Sequence, residues 1–230
     1  MELKFGAFES TKDNRDIESH QILDKADLIP EKFDIDIDYH TNQRAIGVCT
    51  SASICNALYK MYGIHFSMQF IYTLGKKLID KNTIEGSSIR TMLTIVNKYG
   101  ALPLSMNPQD DTRKSLKDYM NVTFTDEQFK EALKYRVNFA KCRLDPIGFA
   151  EDLHKSKYGL ITRMDTGGGN FYTPSWDKND LQYLRKPTAP LGGHAIVVKG
   201  YDGLNNSQIR TLHNSWGGRE NPTTDSGLVW

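Results

Sequence analysis

Apolar positions along the first two thirds of this chain recur with a helical period, whereas in the last third they run on or alternate as they do in strands. In CTSASICNALYKMYG, residues 49–63, Ile54, Ala57, Leu58 and Met61 share one helical face and Gly63 supplies a stop. Ser67 is placed to cap MQFIYTLGKKLI. Ser87 or Ser88 is placed to cap IRTMLTIVNKYG, where Ile89, Met92, Leu93 and Val96 form an apolar stripe that Gly100 ends. NPQDDTRKSLKDYMN reads as an exposed charged loop. Thr125 and Gln128 then have the spacing of a capping box, and Asp145 with Pro146 predicts another helix start. Beyond Gly159, the stretches GLITRMD, GGHAIVVKGYD, IRTLHNSWGG and SGLVW predict strands separated by glycine, asparagine and proline turns. Residues 1–40 are polar and irregular, with FDIDIDY as one short strand. A helix-rich part followed by a strand-rich part predicts an α+β fold with two lobes.

Composition narrows the function classes. The chain has 230 residues, enough for a sizeable core, and a formal net charge of +1 with acidic and basic residues interspersed. No global field points to nucleic acid or to an anionic membrane, and no apolar run approaches the ~20 residues of a membrane span. The N-terminus lacks a hydrophobic stretch of signal-peptide length, so a cytoplasmic location is expected. Three cysteines, Cys49, Cys55 and Cys142, are too few and too irregular for a disulfide framework or a structural zinc site. No metal or cofactor is expected.

Two places carry candidate chemistry. In NQRAIGVCTSASIC, a loop turns into a helix at Cys49. The partial positive charge of a helix start, with a nearby imidazolium, can bring a thiol pKa into the range of about 3.5–7.5. The free N–H of Cys49 can donate to a developing oxyanion, and the Gln43 side-chain amide, in the preceding loop, can be the second donor. Gly47 keeps side-chain bulk away from the approach to the thiol. In GGHAIVVKGYDGLNNSQIRTLHNSWGG, two apolar runs flank a strong turn signal. Pairing them as a hairpin puts His194 opposite position 215, one step from Asn214. An asparagine oxygen there fixes the imidazole tautomer, and Trp216 can shield that bond from water. Cys55, Cys142 and the remaining histidines read as structural or solvent-facing.

Together these residues resemble the papain-like cysteine peptidases. Gln43 and Cys49 match the early Gln-x5-Cys segment, His194 the late histidine at a strand start, and Asn214, Ser215, Trp216 and Gly217 the NSWG motif. EGSSIRTMLTIVNKYG looks like the glycine-containing loop and helix that border the family's substrate cleft, and PEKFDID resembles the segment leading into the mature enzyme. The resemblance covers residues 29–230. It implies Cys49 as nucleophile, His194 as general base and acid, Asn214 as the residue orienting the histidine, and Gln43 with the Cys49 N–H as oxyanion donors. Gly86, Ser87 and Gly193 would line the substrate site. The implied architecture is a helical lobe, about 41–145, facing a β-barrel-like lobe, about 146–230, across a cleft. Ile46 stands where secreted members have a disulfide cysteine, Thr50 replaces the tryptophan after the nucleophile, and Gly86 is followed by Ser87 where many members have two glycines.

The function implied is hydrolysis of peptide bonds through an acyl-enzyme, by a monomer whose partner is a protein or peptide substrate. Two alternatives differ in kind: an amidase or acyl transferase on a non-protein peptide such as one from peptidoglycan, or a catalytically inactive papain-like binding protein. Residues 1–28 form an arm, either a minimal cleft-covering prosegment or, as the simpler expectation, a flexible extension.

Overall fold

A computed structural model describes residues 6–10, 13, 16–21, 28–39, 41–44, 46–107, 110, 114–167, 182–183, 190–205, 209–215 and 228–229. In chain order the strands are β1 (Ala7–Phe8), β2 (Lys32–Asp34), β3 (Ser87–Ser88), β4 (Leu160–Gly167), β5 (Gln182–Tyr183), β6 (Pro190–Asp202), β7 (Ile209–His213) and β8 (Leu228–Val229). The α-helices are α1 (Cys49–Tyr62), α2 (Met68–Leu74), α3 (Ile89–Tyr99), α4 (Leu116–Met120), α5 (Asp126–Ala132) and α6 (Pro146–Ser156). A π-helical stretch, Gly75–Asp80, continues α2.

Local chemistry explains the helix ends. Ser67 accepts from the Phe70 N–H, Ser88 from the Thr91 N–H and Asp145 from the Gly148 N–H. Thr125 and Gln128 form a reciprocal capping box. Gly63 adopts the left-handed conformation that ends α1, at φ 70°. Between residues 107 and 121 the expected exposed loop contains α4, whose Tyr119 is fully buried. Its hydroxyl donates to Asp110 at 2.8 Å, and burial raises the Asp110 carboxyl above its ordinary range. The charged texture of this stretch hid one aromatic anchor.

Two cores result. One is helical and includes Ile54, Leu58, Phe70, Met92, Val96 and Tyr119. The other joins α6 to the sheet through Phe149, Leu153, Met164, Ile196 and Leu212, with Ile35 and Ile37 from the FDIDIDY stretch. The sheet has the order β2-β6-β7-β8-β5, with β4 also pairing with β6. Among the described residues the sheet does not close into the expected barrel. Long β6 organises it, because β2, β4 and β7 all pair with it antiparallel. The β6–β7 hairpin forms as expected, but Val197 faces His213 and Tyr201 faces Arg210, one and two positions from the expected register. An irregularity between Val198 and Gly200 accounts for the drift.

Within the N-terminal arm, the described residues make contacts with the rest of the chain. β1 pairs in parallel with β3, Ala7 against Ser87 and Phe8 against Ser88. Further along the arm, the carboxylate of Asp16 forms a two-point ion pair with Arg90 on α3. The Ser19 N–H donates to the Lys141 carbonyl at 2.9 Å, and the Ser19 hydroxyl to Asp152 at 2.5 Å.

Candidate active site

Cys49 is the first residue of α1, preceded by Val48, whose side chain makes no cap hydrogen bond. Val48 therefore caps none of the N–H groups at this helix start. The sulfur meets β6, for Cys49 packs with Ala195 and Ala7 in a small buried cluster. Main-chain N–H groups of Ala195, Gly6, Thr50 and Cys49 itself face the sulfur. Ala195 follows His194 directly, so the N-terminus of α1 is held against the strand that carries the histidine.

His194 is fully buried, and its Nε2 lies 2.8 Å from Oδ1 of Asn214. The hairpin thus joins the two residues that its sequence placed near each other. The same Asn214 oxygen accepts from the Ser215 N–H at 2.7 Å. Ser215 then reaches the loop before Cys49. Its hydroxyl donates to Oε1 of Gln43 at 2.6 Å, and its carbonyl accepts the Gln43 N–H at 2.9 Å. With Oε1 held there, the Gln43 amide nitrogen turns toward its own loop, 3.3 Å from the Ile46 carbonyl. No local pattern signals this role for Ser215. It stands inside the NSWG stretch, but its partner lies 172 residues away. Trp216 and Gly217 lie outside the described residues.

Gly86, Ser87 and Gly193, expected to line the substrate site, all lie against residues 6 and 7 of the arm. The Gly86 N–H donates to the Tyr72 hydroxyl at 2.8 Å, and its carbonyl accepts from Nζ of Lys76 at 2.9 Å. Lys76 is buried and also donates to Asp80 and Asn82, so all three ammonium hydrogens have acceptors. With Gly86 pinned on both sides, the Ser87 N–H donates to the Gly6 carbonyl at 2.7 Å. The serine in place of a second glycine does not remove this main-chain donor.

Residues 6 and 7 of the arm lie against these residues. A Cβ on Gly6 would lie 2.1 Å from the Gly47 carbonyl oxygen, and one on Gly193 would lie 2.1 Å from the Ala7 carbonyl oxygen. Only glycines permit this approach. Cys49 is completely buried, with Ala7 packed against it and the Gly6 N–H facing its sulfur. Both neighbouring carbonyls are engaged elsewhere, that of Gly6 by Ser87 and that of Ala7 by Nε of Arg163 at 3.0 Å. Burial pushes the Cys49 thiol up to about 11, against the opposing pull of the N–H groups. Burial likewise pushes His194 down to about 4, with the Asn214 bond acting against it. A thiolate–imidazolium pair was the expectation. Here burial outweighs the helix start and favours the neutral form of each group.

No family model and no curated protein matches the chain. Solved structures do. Xylellain, a cysteine protease from Xylella fastidiosa, superposes with a TM-score of 0.74 at 20% identity, over 100% of this chain and 91% of that one. The chain folds as papain-like cysteine proteases do. Digestive procathepsin L 3 of Tenebrio molitor larval midgut matches with a TM-score of 0.53 at 16% identity, covering 89% of this chain and 65% of that one. The ragweed pollen allergen Amb a 11, a cysteine protease in its proform, gives 0.53 at 18% identity, covering 88% and 58%. This papain-like chain thus spans less than two thirds of those two longer chains. No helix among the described residues is long and apolar enough to cross a membrane.

Proposed function

We propose that the chain is a cysteine peptidase that hydrolyses peptide bonds through an acyl-enzyme on Cys49. The observation that carries this reading is the 2.8 Å contact between Asn214 and His194, whose neighbour on β6, Ala195, packs against Cys49. Asn214 holds one imidazole nitrogen, leaving His194 oriented for proton transfer with the other. In the open cleft, the Cys49 thiolate attacks a substrate carbonyl carbon and forms the C–S bond. The oxyanion takes hydrogen bonds from the Cys49 N–H and the Gln43 amide. His194 gives its proton to the leaving amine as the C–N bond breaks. Water then adds to the thioester while His194 accepts its proton, and the C–S bond breaks to release the acid and restore the thiolate beside a protonated His194.

The neutral groups described above belong to the closed cleft. We read residues 1–28 as the arm that keeps it closed and 29–230 as the peptidase domain. The test uses the full chain carrying Gly6→Val, which cannot seat the arm against Gly47. Hydrolysis of a denatured protein substrate should appear in this variant and vanish when Cys49→Ala is added. Hydrolysis that survives Cys49→Ala sinks the reading.

A further inference from the structure

A peptide already lies in this cleft, and what it touches identifies a residue absent from the set above. Arg163 on β4 faces Ala195 of β6 across the ladder, one position from His194. Its Nε donates to the Ala7 carbonyl at 3.0 Å. Its Nη1 lies 2.7 Å from a carboxylate oxygen of Asp165 and 3.7 Å from one of Glu9. A Cβ on Gly193 would come within 2.3 Å of Nε, so the glycine makes room for this guanidinium as well as for the Ala7 carbonyl. The Arg163 side chain is 25% exposed, which leaves it partly desolvated but reachable from the cleft.

We propose that Arg163 is a specificity-determining residue: it binds a main-chain carbonyl of the peptide in the cleft and favours peptides with an acidic side chain two residues beyond that carbonyl. Asp165 fixes the plane of the guanidinium, so its donors are aimed before the peptide arrives. The carbonyl hydrogen bond is charge-assisted and independent of sequence. Sequence preference comes from Nη1, which sits between the permanent carboxylate of Asp165 and the one the occupant supplies. The proposal rests on the peptidase reading for its functional meaning, but binding can be measured without turnover.

The experiment uses the full-length Gly6→Val chain and the probe peptide acetyl-Gly-Ala-Phe-Glu-amide, which copies residues 6–9, beside its Gln analogue. Each is titrated for protection of Cys49 from iodoacetamide, read by mass spectrometry. The Glu peptide should half-protect at a concentration about threefold to fivefold lower than the Gln peptide, a gap that shrinks with added salt. Adding Arg163→Met should abolish the gap and weaken both peptides about tenfold, while Arg163→Lys keeps part of the gap. Equal protection by Glu and Gln peptides, or unchanged protection in a folded Arg163→Met chain, overturns the proposal. Should Arg163→Met fail to fold, the salt series on the Gly6→Val chain decides alone: a gap that ignores salt overturns it. If the gap depends on Arg163 but no protein substrate is cut, the peptidase reading fails while this assignment of Arg163 as a peptide-binding residue stands.

Discussion

The hydroxyl of Ser215 donates to the side-chain oxygen of Gln43 at 2.6 Å, tying the strand-rich half of the site to the loop before the thiol. Removing it frees the amide to rotate and to offer its oxygen where a donor is needed. A single oxyanion donor is worth about 100-fold or more in kcat. Partial misorientation in Ser215→Ala should therefore lower kcat about tenfold, with stability falling by only about 1 kcal/mol. Steady-state kinetics in the Gly6→Val background, with a thermal melt alongside, check this. A loss confined to KM would remove Gln43 orientation from the account.

Seating of the arm should be visible in thiol chemistry. Only the thiolate alkylates, and Cys49 is pushed up to about 11 with the arm in place. In the native chain, Cys49 alkylation should be slow at neutral pH and rise about tenfold per pH unit toward that value. Gly6→Val should move the onset down by at least a unit. An identical profile in both chains means that Gly6 does not cover the thiol.

The same shifts fix a pH window for the closed state. The Cys49 pKa is raised from its ordinary 9.0, so its contribution is present below 9 and is lost as pH rises toward about 11. The His194 pKa is depressed from 6.5, so its contribution is present above 6.5 and is lost as pH falls toward about 4. The melting temperature of the native chain should hold a plateau between these limits and fall on both sides, with a shallower fall in Gly6→Val.

Lys76 is a buried cation that holds the cleft edge through Asp80, Asn82 and the Gly86 carbonyl. Lys76→Met leaves the Asp80 carboxylate without this partner and lets Gly86 drift. Breaking a buried pair from one side costs about 3–5 kcal/mol. Urea unfolding should register a loss of that order, and a change under 1 kcal/mol would contradict the burial of this pair.

The ion pair between Asp16 and Arg90 anchors the arm beyond the cleft. Asp16→Asn should speed Cys49 alkylation severalfold at pH 8, and added salt should do the same to the native chain by screening the pair. Gly6→Val should be insensitive to both.

What the sequence determined by itself is mostly local. Ser67, Ser88, Thr125 and Asp145 are legible as caps because a cap is a bond across three residues. Cys49 at a helix start and the His194–Asn214 hairpin are legible for the same reason, since periodicity and a turn bring near neighbours together. The tertiary structure decided the rest. Ser215 and Gln43, or Arg163 and the Ala7 carbonyl, meet only because distant segments pack, and no local pattern encodes those partners. The arm sequence looks like an unattached extension because its pairing edge, Ser87–Ser88, lies some eighty residues on. The protonation state of the site was equally out of reach. A helix start and a histidine argue for a thiolate, but the sign of the shift is set by how completely water is excluded, and exclusion is a property of the whole fold.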